Sequence, residues 1–317
     1  MTVALSGSIA FDYLMTFPGR FRDHILTERL DRLSLSFLVD SLDRRRGGIA
    51  PNIAYTLALL GEHPLVVGTV GEDFGAYRAW LEAAGVDTSA IHVVPGLFTA
   101  SFFVTTDMIN SQIASFYPGA MARAGAIRLA DISPRPELVV ISANDPGAME
   151  QHTQECLRLG IPYAYDPSQQ VVRMEAAALE RGLLGCMGAF GNDYEFALIQ
   201  EKTGLTPQAL VERAAFVAVT LGEAGAEVHT AGARIRVPAV PPTALVDPTG
   251  VGDAFRGGFL KGLLHGLTLE RCAQLGALAA TYCLETQGTQ GHRFDLPAFI
   301  RRFRQHFDDQ GDLDRLA

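Results

Sequence analysis

Short apolar runs alternate along this chain with longer segments in which apolar residues recur at helical spacing. Apolar strands that alternate with helices predict an α/β fold, in which a mostly parallel sheet is covered by helices on both faces. Ligands of such sheets bind at the carboxyl ends of the strands. The pattern predicts strands at 3–6, 64–69, 138–142, 163–166, 187–190 and 216–221, and helices at 51–61, 75–84 and 148–159.

Two regions follow a period of two instead. Residues 13–46 form a long insertion with an alternating run at 34–40. Residues 99–106 and 111–117 alternate on either side of a polar turn at 107–110, which is typical of a β-hairpin. We expect these segments to form a small β-sheet lid over the main sheet. The alternative is that they are edge strands of the main sheet.

Composition narrows the class of protein. The chain has 317 residues, of which 48% are hydrophobic, and a formal net charge of −9, so a nucleic-acid partner is not expected. The N-terminus lacks a basic region before its apolar run, and the sequence has no apolar run long enough to span a membrane. The four scattered cysteines form no CxxC pair, which is typical of a reducing compartment. We therefore expect a cytoplasmic protein.

The most informative motif is the stretch VDPTGVGDAF at 246–255. Glycines permit close backbone approach to a ligand, and amides at a helix start favour an anion. A carboxylate beside a phosphate is repelled by it, so its presence there suggests a catalytic role. Asp253 could take a proton from an attacking hydroxyl. A plain tight turn is one alternative. A dinucleotide fingerprint is disfavoured because Phe255 stands where its third glycine should be.

Further polar positions follow other predicted elements. Asp12 closely follows the first strand, where its carboxylate could accept hydrogen bonds from a vicinal diol, or cap a turn or helix. Gly47 and Gly48 precede the first helix, and Asn52 offers both a donor and an acceptor. The alternative for this segment is a loop leading to a proline at the helix start.

Later in the chain, Asn192 and Glu195 offer oxygen ligands that suit Mg²⁺ through water, although an NxxE pair is also a common helix cap. Thr220 begins a glycine-rich turn that could pass under nucleotide phosphates or be an ordinary β-turn. Asp166 ends another strand on the same predicted edge, where it could also belong to a plain turn.

Taken together and in this order, the motifs resemble the ribokinase-like (PfkB) carbohydrate kinases across essentially the whole chain. The matching signatures are GGIAPNIA at 47–54 and DPTGVGDAF at 247–255, with Val251 where the family usually has a smaller residue. The resemblance implies a single domain over 1–317, with a Rossmann-like α/β body and a β lid formed by about 13–46 and 97–120. It also implies ATP-dependent phosphorylation of a primary alcohol, with Mg²⁺ as cofactor.

The resemblance assigns roles to individual residues. By this resemblance Asp253 is the catalytic base, and the anion hole is formed by the amides of Gly250, Val251 and Gly252. The residues that it implies for the acceptor are Ser8, Asp12, Gly48 and Asn52. Those that it implies for ATP are Asn192, Thr220, Gly222 and Gly225, and Mg²⁺ would be held through water by Asn192 and Glu195. A monovalent cation near Asp247, the range of phosphoryl donors, and the choice between monomer and homodimer remain open.

The lid segments resemble those of adenosine or nucleoside kinases. Their apolar side chains could form a slot for a purine, whereas a free hexose needs mostly hydrogen-bonding groups. These side chains could instead hold the lid to the body. The side chains concerned are Phe17, Phe37, Leu38, Phe102, Phe103, Phe116 and Tyr117.

We therefore predict a nucleoside 5′-kinase, with adenosine as the acceptor. A kinase for free ribose or fructose is the nearer alternative. A non-catalytic nucleotide- or sugar-sensing module is the more distant one, and Asp253 argues against it, because a binding protein gains nothing from a carboxylate beside phosphates.

Overall fold

The computed structural model describes residues 2–25, 32 and 34–316, which form two separate β-sheets and the helices around them. The strands are β1 (Val3–Ser6), β2 (Ala10–Thr16), β3 (Ser41–Gly47), β4 (Leu65–Val70), β5 (Ile91–Val93), β6 (Ala100–Thr106), β7 (Gln112–Tyr117), β8 (Leu138–Ser142), β9 (Tyr163–Asp166), β10 (Gly188–Asn192), β11 (Phe216–Thr220), β12 (Ala226–His229) and β13 (Arg234–Val237). The α-helices are α1 (Ile49–Leu59), α2 (Gly75–Ala83), α3 (Pro146–Leu159), α4 (Ala176–Gly185), α5 (Asp193–Thr203), α6 (Pro207–Leu210), α7 (Val251–Leu264), α8 (Leu269–Leu284) and α9 (Leu296–Phe303).

The larger sheet has the strand order β13-β12-β11-β10-β9-β8-β1-β4-β5 within the described residues. The strands from β11 to β5 run parallel, whereas β12 and β13 are antiparallel. Every residue of β1, β4 and β8 is buried, as expected for parallel strands with both faces covered. The α/β prediction is confirmed.

Two apolar cores lie on opposite faces of this sheet. One joins α1, α7, α8 and α9 through side chains such as Leu57, Phe259 and Phe299. The other joins α3, α4 and α5 through Met149, Leu179 and Ile199. The free cysteines Cys156, Cys186, Cys272 and Cys283 are all buried in these layers. Within the described residues, no helix is both long and apolar enough to cross a bilayer.

The order of strands reverses beside β1. From β1 the chain adds β4 and β5 on one side and then, starting with β8, builds the rest of the sheet on the other. At such a reversal the connections leave in opposite directions, so a crevice opens at the carboxyl ends of the two strands. This crevice is the floor of the cleft described below.

The smaller sheet has the order β3-β2-β6-β7 and is separate from the larger one. The predicted hairpin is confirmed, because β6 pairs antiparallel with β7 around the turn at 107–110. The alternative of edge strands on the main sheet is wrong. We refer to β2, β3, β6 and β7 as the lid sheet.

The prediction of a strand at 34–40 is wrong. Residues 34–39 form no regular structure, and the later part of this insertion, β3, pairs with β2 although its sequence SLDRRRG does not alternate. Long-range contacts select it: the Arg44 guanidinium lies 3.7 Å from the Phe11 ring centroid, and Arg45 bonds to Asp247 at 2.8 Å. Leu38, by contrast, is 85% exposed. Residues 26–31 and 33 of the predicted insertion lie outside the described part of the chain.

The other predicted elements are confirmed to within two or three residues at each end. One of the two-residue differences is the start of α3, which was expected at residue 148 and lies at Pro146. Proline is well tolerated at a helix start because its missing N–H needs no partner there, and Asp145 caps the helix by accepting from the Ala148 amide at 3.1 Å.

Candidate active site

A cleft of about 840 Å³ separates the lid sheet from the carboxyl ends of the large sheet. Its size falls in the range of small-molecule sites. One wall is the inner face of the lid sheet, and the opposite wall includes the starts of α1 and α7. The lid wall is mixed: its apolar side chains are Ala10, Leu14, Phe102, Val104 and Phe116, and its polar side chains are Asp12, Arg45, Thr106 and Gln112.

Both helices that begin at this cleft start on a glycine with positive φ, and neither start has a side-chain N-cap. Gly48 has φ +94° before α1, and Gly250 has φ +80° before α7. By contrast, α3, α5 and α8 are each capped by a side chain. The first amides of a helix lack intrahelical partners and carry the positive end of its dipole. The start of α7, which includes Val251 and Gly252, therefore suits an anion.

Asp253 lies in the first turn of α7 and lines the cleft. Its Oδ2 accepts a hydrogen bond from Asn52 Nδ2 at 2.8 Å, so the structure brings together two predicted site residues 201 positions apart. Desolvation in the cleft raises the pKa of Asp253 to about 7, although Arg256 and the Asn52 hydrogen bond act to lower it. A carboxylate with a pKa near 7 is well matched to a general base at neutral pH.

Asp12 lines the cleft from the lid side, but not from the predicted position. It was expected at the carboxyl end of the first strand, and instead lies inside β2 of the lid sheet. The chain leaves β1 at Ser6 and, after three residues, enters a new strand that pairs with β3 and β6. Burial raises the pKa of Asp12 to about 6, and its cross-strand neighbour Arg45 acts to lower it.

Arg45 connects the lid sheet to the α7 motif. Its Nη1 donates to Asp247 Oδ2 at 2.8 Å, and Asp247 also accepts from the amides of Thr249 at 2.9 Å and Gly288 at 3.0 Å. These bonds hold the pKa of Asp247 below its usual range. The loop before α7 is therefore fixed from the lid as well as from the body.

Ser8 and Gly48 also line the cleft. Ser8 Oγ lies 3.4 Å from the Ile49 amide, at the start of α1. A Cβ on Gly48 would lie 2.5 Å from the Ser8 carbonyl oxygen and 2.7 Å from the Ala10 amide nitrogen. The glycine was expected to let the backbone come close to a ligand. In the structure its backbone comes close to residues 8–10 instead, so that α1 lies against the connection from β1 to β2.

Asn192 and Glu195 form a reciprocal capping box at the start of α5. Asn192 Oδ1 accepts from the Glu195 amide at 2.7 Å, and Glu195 Oε2 accepts from the Asn192 amide at 2.8 Å. The helix cap, which the sequence offered as the alternative to a magnesium site, is therefore present in the structure. Glu195 Oε1 also accepts from Ser168 Oγ at 3.1 Å, and Ser168 lines the cleft.

Asp166 ends β9 close to this capping box and forms a buried ion pair with Arg256 at 2.6 Å. Its Oδ2 is buried with no hydrogen-bond partner among the described residues. Glu195 acts on the pKa of both Asp166 and Asp253. Oxygen donors with an unpaired carboxylate atom suit a hydrated Mg²⁺ ion. Within the part of the chain that the structure describes, no group of three His, Cys, Asp or Glu side chains is arranged to ligate a metal directly.

Thr220, Gly222 and Gly225 lie at the carboxyl end of β11, outside the lining of the cleft. Thr220 is the register partner of Asn192 on the adjacent parallel strand. The predicted nucleotide residues therefore share one edge of the large sheet, next to the cleft rather than within it.

Of the seven apolar lid side chains named from the sequence, two line the cleft. Phe102 and Phe116 are register partners on its inner wall. Phe103 is on the other face, stacked on Tyr13 with ring centroids 4.7 Å apart. Phe17 and Phe37 pack on each other and on Phe21.

The profile of the pfkB family carbohydrate kinases matches residues 13–294 of this chain. The chain belongs to this family. It is therefore a phosphotransferase that acts on an alcohol group, and its fold is the ribokinase-like α/β fold.

Individual relatives narrow the position of the chain within the pfkB family. A nucleoside kinase of Methanothermobacter thermautotrophicus is 30% identical over 301 residues, which cover 94% of each chain. The structure of a Burkholderia thailandensis nucleoside kinase in complex with inosine has a TM-score of 0.87 and 33% identity, covering 96% of this chain and 99% of that one. The structure of a Methanocaldococcus jannaschii nucleoside kinase, an archaeal member of the ribokinase family, has a TM-score of 0.83 and 24% identity, and the match covers 96% of this chain and 99% of that one.

Sequence reasoning missed three contributors to this pfkB-family site. Gln290 bonds to Asn52, Arg256 pairs with Asp166, and Arg45 pairs with Asp247. Arg256 carried a signal, since it lies three residues after Asp253 and thus on the same side of the helix. No such sequence signal marked Gln290 or Arg45, because their partners are more than 200 residues away along the chain.

Proposed function

We propose that this protein transfers the γ-phosphoryl group of ATP to the 5′-hydroxyl of a nucleoside, with adenosine as its preferred acceptor. The observation that carries the proposal is the Asp253 carboxyl. It lies at an uncapped helix start, in a cleft whose facing wall carries apolar side chains such as Phe102 and Phe116 beside the carboxylate of Asp12. A base beside an anion site fits in-line phosphoryl transfer to an alcohol.

The lid wall supports a nucleoside over a free sugar. Leu14, Phe102, Val104 and Phe116 offer an apolar surface on which a purine could stack. A base buried there contributes about 25 cal/mol for each Å² of apolar surface, before the cost of ordering. The similarity to a nucleoside kinase that binds inosine supports the same class of acceptor.

In the proposed mechanism, the Asp12 carboxylate accepts hydrogen bonds from the ribose diol, and Ser8, Gly48 and Asn52 bound the far side of the sugar. Asp253 accepts the proton of the 5′-hydroxyl as that oxygen attacks the γ-phosphorus. The amides of Gly250, Val251 and Gly252 stabilise the negative charge that develops on the transferred group.

On the nucleotide side, we propose that Thr220, Gly222, Gly225 and Asn192 bind ATP at the edge of the large sheet. Asn192 and Glu195 would hold Mg²⁺ through water, next to the unpaired oxygen of Asp166. When bound, Mg²⁺ supplies positive charge that neutralises the phosphate oxygens.

The lid sheet would close over the bound acceptor and exclude water, which otherwise competes as phosphoryl acceptor. The four free, buried cysteines support a reducing compartment, which for an ATP-dependent enzyme is the cytoplasm. The product would be a nucleoside 5′-monophosphate, so the reaction would serve the salvage of purine nucleosides.

A coupled assay of ADP release with adenosine, inosine, cytidine, ribose and fructose tests the acceptor. The expected order of kcat/KM is adenosine first, then the other nucleosides, with the free sugars far below. If ribose or fructose reached the kcat/KM of adenosine, the nucleoside assignment would be wrong, and a sugar kinase with the same Asp253 chemistry would remain. If no acceptor were phosphorylated, a sensing module would replace both.

Replacement of Asp253 tests the base. Asp253→Asn keeps the size of the side chain but removes the base, so kcat should fall by roughly two to four orders of magnitude, while nucleoside binding measured by calorimetry changes little. Asp193→Asn, on the exposed start of α5, is the matched control and should leave kcat unchanged. A fall in kcat of less than about tenfold for Asp253→Asn would contradict the assigned role.

A further inference from the structure

A chain of side-chain hydrogen bonds leads from the lone tryptophan to Asp253. Trp80 Nε1 donates to Gln290 Oε1 at 3.1 Å, and Gln290 Nε2 donates to Asn52 Oδ1 at 2.9 Å. Asn52 Nδ2 then donates to Asp253 Oδ2 at 2.8 Å. The four residues come from α2, the segment after α8, α1 and α7, so the chain joins distant parts of the fold.

This chain of bonds has a fixed direction. An indole N–H only donates, so it must meet the oxygen of the Gln290 amide. The Gln290 nitrogen is thereby turned toward Asn52 and must meet its oxygen, which in turn directs the Asn52 nitrogen at Asp253. Each amide alone could be rotated by 180° to exchange its oxygen and nitrogen. The donor-only group at one end removes this freedom from both.

Burial makes the direction costly to reverse. Gln290 is 5% exposed and Asn52 is 4% exposed, so water cannot readily replace a lost partner. The Gln290 nitrogen has a second acceptor in the Tyr77 hydroxyl, which donates its own proton to the Gly47 carbonyl at 3.0 Å. A reversed Gln290 amide would set its oxygen against Asn52 Oδ1 and leave the indole N–H facing an amide nitrogen.

The indole itself is held in place. The Arg46 guanidinium lies 3.9 Å from the Trp80 ring centroid, and that of Arg293 lies 4.6 Å from it. The Tyr55 ring is nearly parallel to the indole, with centroids 6.1 Å apart. Cation–π contacts of this kind stabilise the ring in one orientation, and with it the direction of its N–H.

We propose that Gln290, directed by Trp80, is a positioning residue that fixes the amide of Asn52 so that an N–H donor points at the base Asp253. The inference rests on the proposed role of Asp253. A donor at this position stabilises the ionised carboxylate, whereas a rotated Asn52 would turn its carbonyl oxygen toward Asp253 and disfavour ionisation.

Other groups also act on the ionisation of Asp253. Arg256 on α7 favours the ionised form, whereas Asp166 on β9 and Glu195 on α5 disfavour it. Tyr77 on α2 and Cys283 on α8 also face Asp253. Tyr77 also loses its bond to Gln290 in the Gln290 variants, whereas Trp80→Phe keeps the Gln290 side chain, so agreement between the two kinds of variant assigns the shift to the amide chain.

The pH profile of kcat/KM tests the proposal in the full-length enzyme. In Gln290→Met the orientation of Asn52 is no longer imposed, and the pKa of Asp253 should rise. A rise of about one unit from 7 would lower kcat/KM about eightfold at pH 6.5 but by less than about 1.2-fold at pH 9. Gln290→Glu, which only accepts hydrogen bonds and adds negative charge, should shift the profile further in the same direction.

Two further variants separate positioning from general damage. Trp80→Phe keeps an aromatic ring in the stack but removes the donor, so it should shift the profile as Gln290→Met does. Arg293→Lys disturbs the same stack without touching the amide chain and should leave the profile unshifted. A loss of activity that is equal at pH 6.5 and pH 9 in both Gln290→Met and Trp80→Phe would overturn the proposal.

A spectroscopic measurement needs no substrate. Because Trp80 is the only tryptophan, its indole ¹⁵N–¹H resonance is unique. In the wild type this resonance should titrate with a midpoint near 7, and the titration should be lost in Asp253→Asn and in Gln290→Met. His292, which lies near Tyr55, has its pKa lowered to about 4 by burial and does not interfere in this range.

The two readouts distinguish the possible failures. An indole titration that is unaffected by Gln290→Met would overturn the positioning role, even if the wild type proves to be a nucleoside kinase. An enzyme inactive on nucleosides would overturn the proposed function, while the indole titration would still decide whether the amide chain reaches Asp253.

Discussion

Asp12 and Asp253 face the cleft from opposite walls, and desolvation raises the pKa of each, to about 6 and about 7. The two carboxyls have different neighbours: Asp12 has Arg45 on the adjacent strand, whereas Asp253 has an amide donor and Arg256. Both are mainly ionised above pH 7, which suits one as a hydrogen-bond acceptor for hydroxyls and the other as a proton acceptor.

The raised pKa of Asp253 has a cost for stability. The folded state binds this proton more tightly than the unfolded state, so the contribution to stability is present below about pH 4 and is lost as the pH rises to about 7. Asp253→Asn removes this loss and should raise the free energy of unfolding at pH 8 by roughly 1–3 kcal/mol, allowing for solvent screening in the open cleft.

Urea unfolding at pH 8 and pH 4.5 checks this expectation. The gain of Asp253→Asn should shrink at the lower pH, where the wild-type carboxyl is protonated in the folded state. A gain of equal size at both pH values would show that the effect does not come from the ionisation of Asp253.

Asp12 should determine affinity for the acceptor rather than for ATP. A hydrogen bond to a charged group contributes about 1.5–3 kcal/mol, so Asp12→Ala should raise KM for the nucleoside at least about tenfold. A 2′-deoxynucleoside should be a poorer substrate for the wild type and should lose almost nothing further with the variant. Steady-state kinetics with both substrates measure this, and equal penalties in the two proteins would show that Asp12 does not touch the diol.

At the scale of elements, the position of Asp253 depends on how tightly α7 packs on α8. Gly258 in α7 lies so close to α8 that a Cβ there would be 2.5 Å from the Leu275 carbonyl oxygen and 2.9 Å from Ala279 Cβ. Gly276 in α8 meets Phe255 in the same way, with 2.8 Å to its carbonyl oxygen. Each glycine meets a backbone carbonyl oxygen among its closest contacts, so a larger residue would have to move a whole helix.

Gly258→Ala should therefore lower the free energy of unfolding by about 1–3 kcal/mol and also reduce kcat, because the helix that carries Asp253 is displaced. Gly75→Ala is the matched control: Gly75 is exposed at the start of α2 with φ −52°, and a Cβ there would meet nothing within 4 Å. Thermal unfolding and kcat of both variants measure the effect. Equal stability of the two variants would mean that α7 and α8 can separate without cost.

How much of these elements the sequence predicts depends on the range of the contacts that form them. The runs at β1 and β8 are buried on both faces, so their apolar residues alone identify them. β3 is a strand because of partners on β2 and at Asp247, and no local pattern in SLDRRRG indicates this.

The same limit applies to the site. The motif at 246–255 predicts a helix start with an acid in its first turn, and this is what the structure contains. Asp12 lines the cleft, but from within β2 rather than from the end of β1 as expected, and its contact with the acceptor stays a prediction. Gln290 was not named, since its contact with Asn52 spans 238 residues. Short motifs thus identify the groups that face a ligand, whereas the residues that orient those groups depend on the tertiary fold.

At the scale of the whole molecule, a chain with net charge −9 must attract a polyanion locally. The cleft has arginines such as Arg45 and Arg173 in its lining and two helix N-termini, which could supply this attraction. Arg45 also joins the lid to the body through its bond to Asp247. A second bond between lid and body lies next to it, since Thr289 Oγ1 donates to the Arg46 carbonyl at 2.9 Å. The proposed binding of an anion and the proposed closure of the lid would therefore involve neighbouring groups.

Closure predicts a pattern of hydrogen exchange. Adenosine should protect the backbone amides of 35–39 and 101–105, because a base bound in the cleft would hold the lid against the body. Ribose lacks the base and should protect these segments less. Exchange followed by mass spectrometry measures this, with α9 as a remote segment that should not respond. Equal protection by ribose and adenosine would mean that the lid does not contact the base.

The burial of the cysteines has a practical consequence. Burial raises the pKa of all four thiols to about 12, so at neutral pH they are neither ionised nor accessible to reagents. Cysteines introduced at exposed positions, such as Ser115 on the lid sheet and Glu201 on α5, would be the only ones to react with a maleimide dye. The native chain is thus already suited to site-specific labelling, and the distance between its two sheets could be followed in single molecules during turnover.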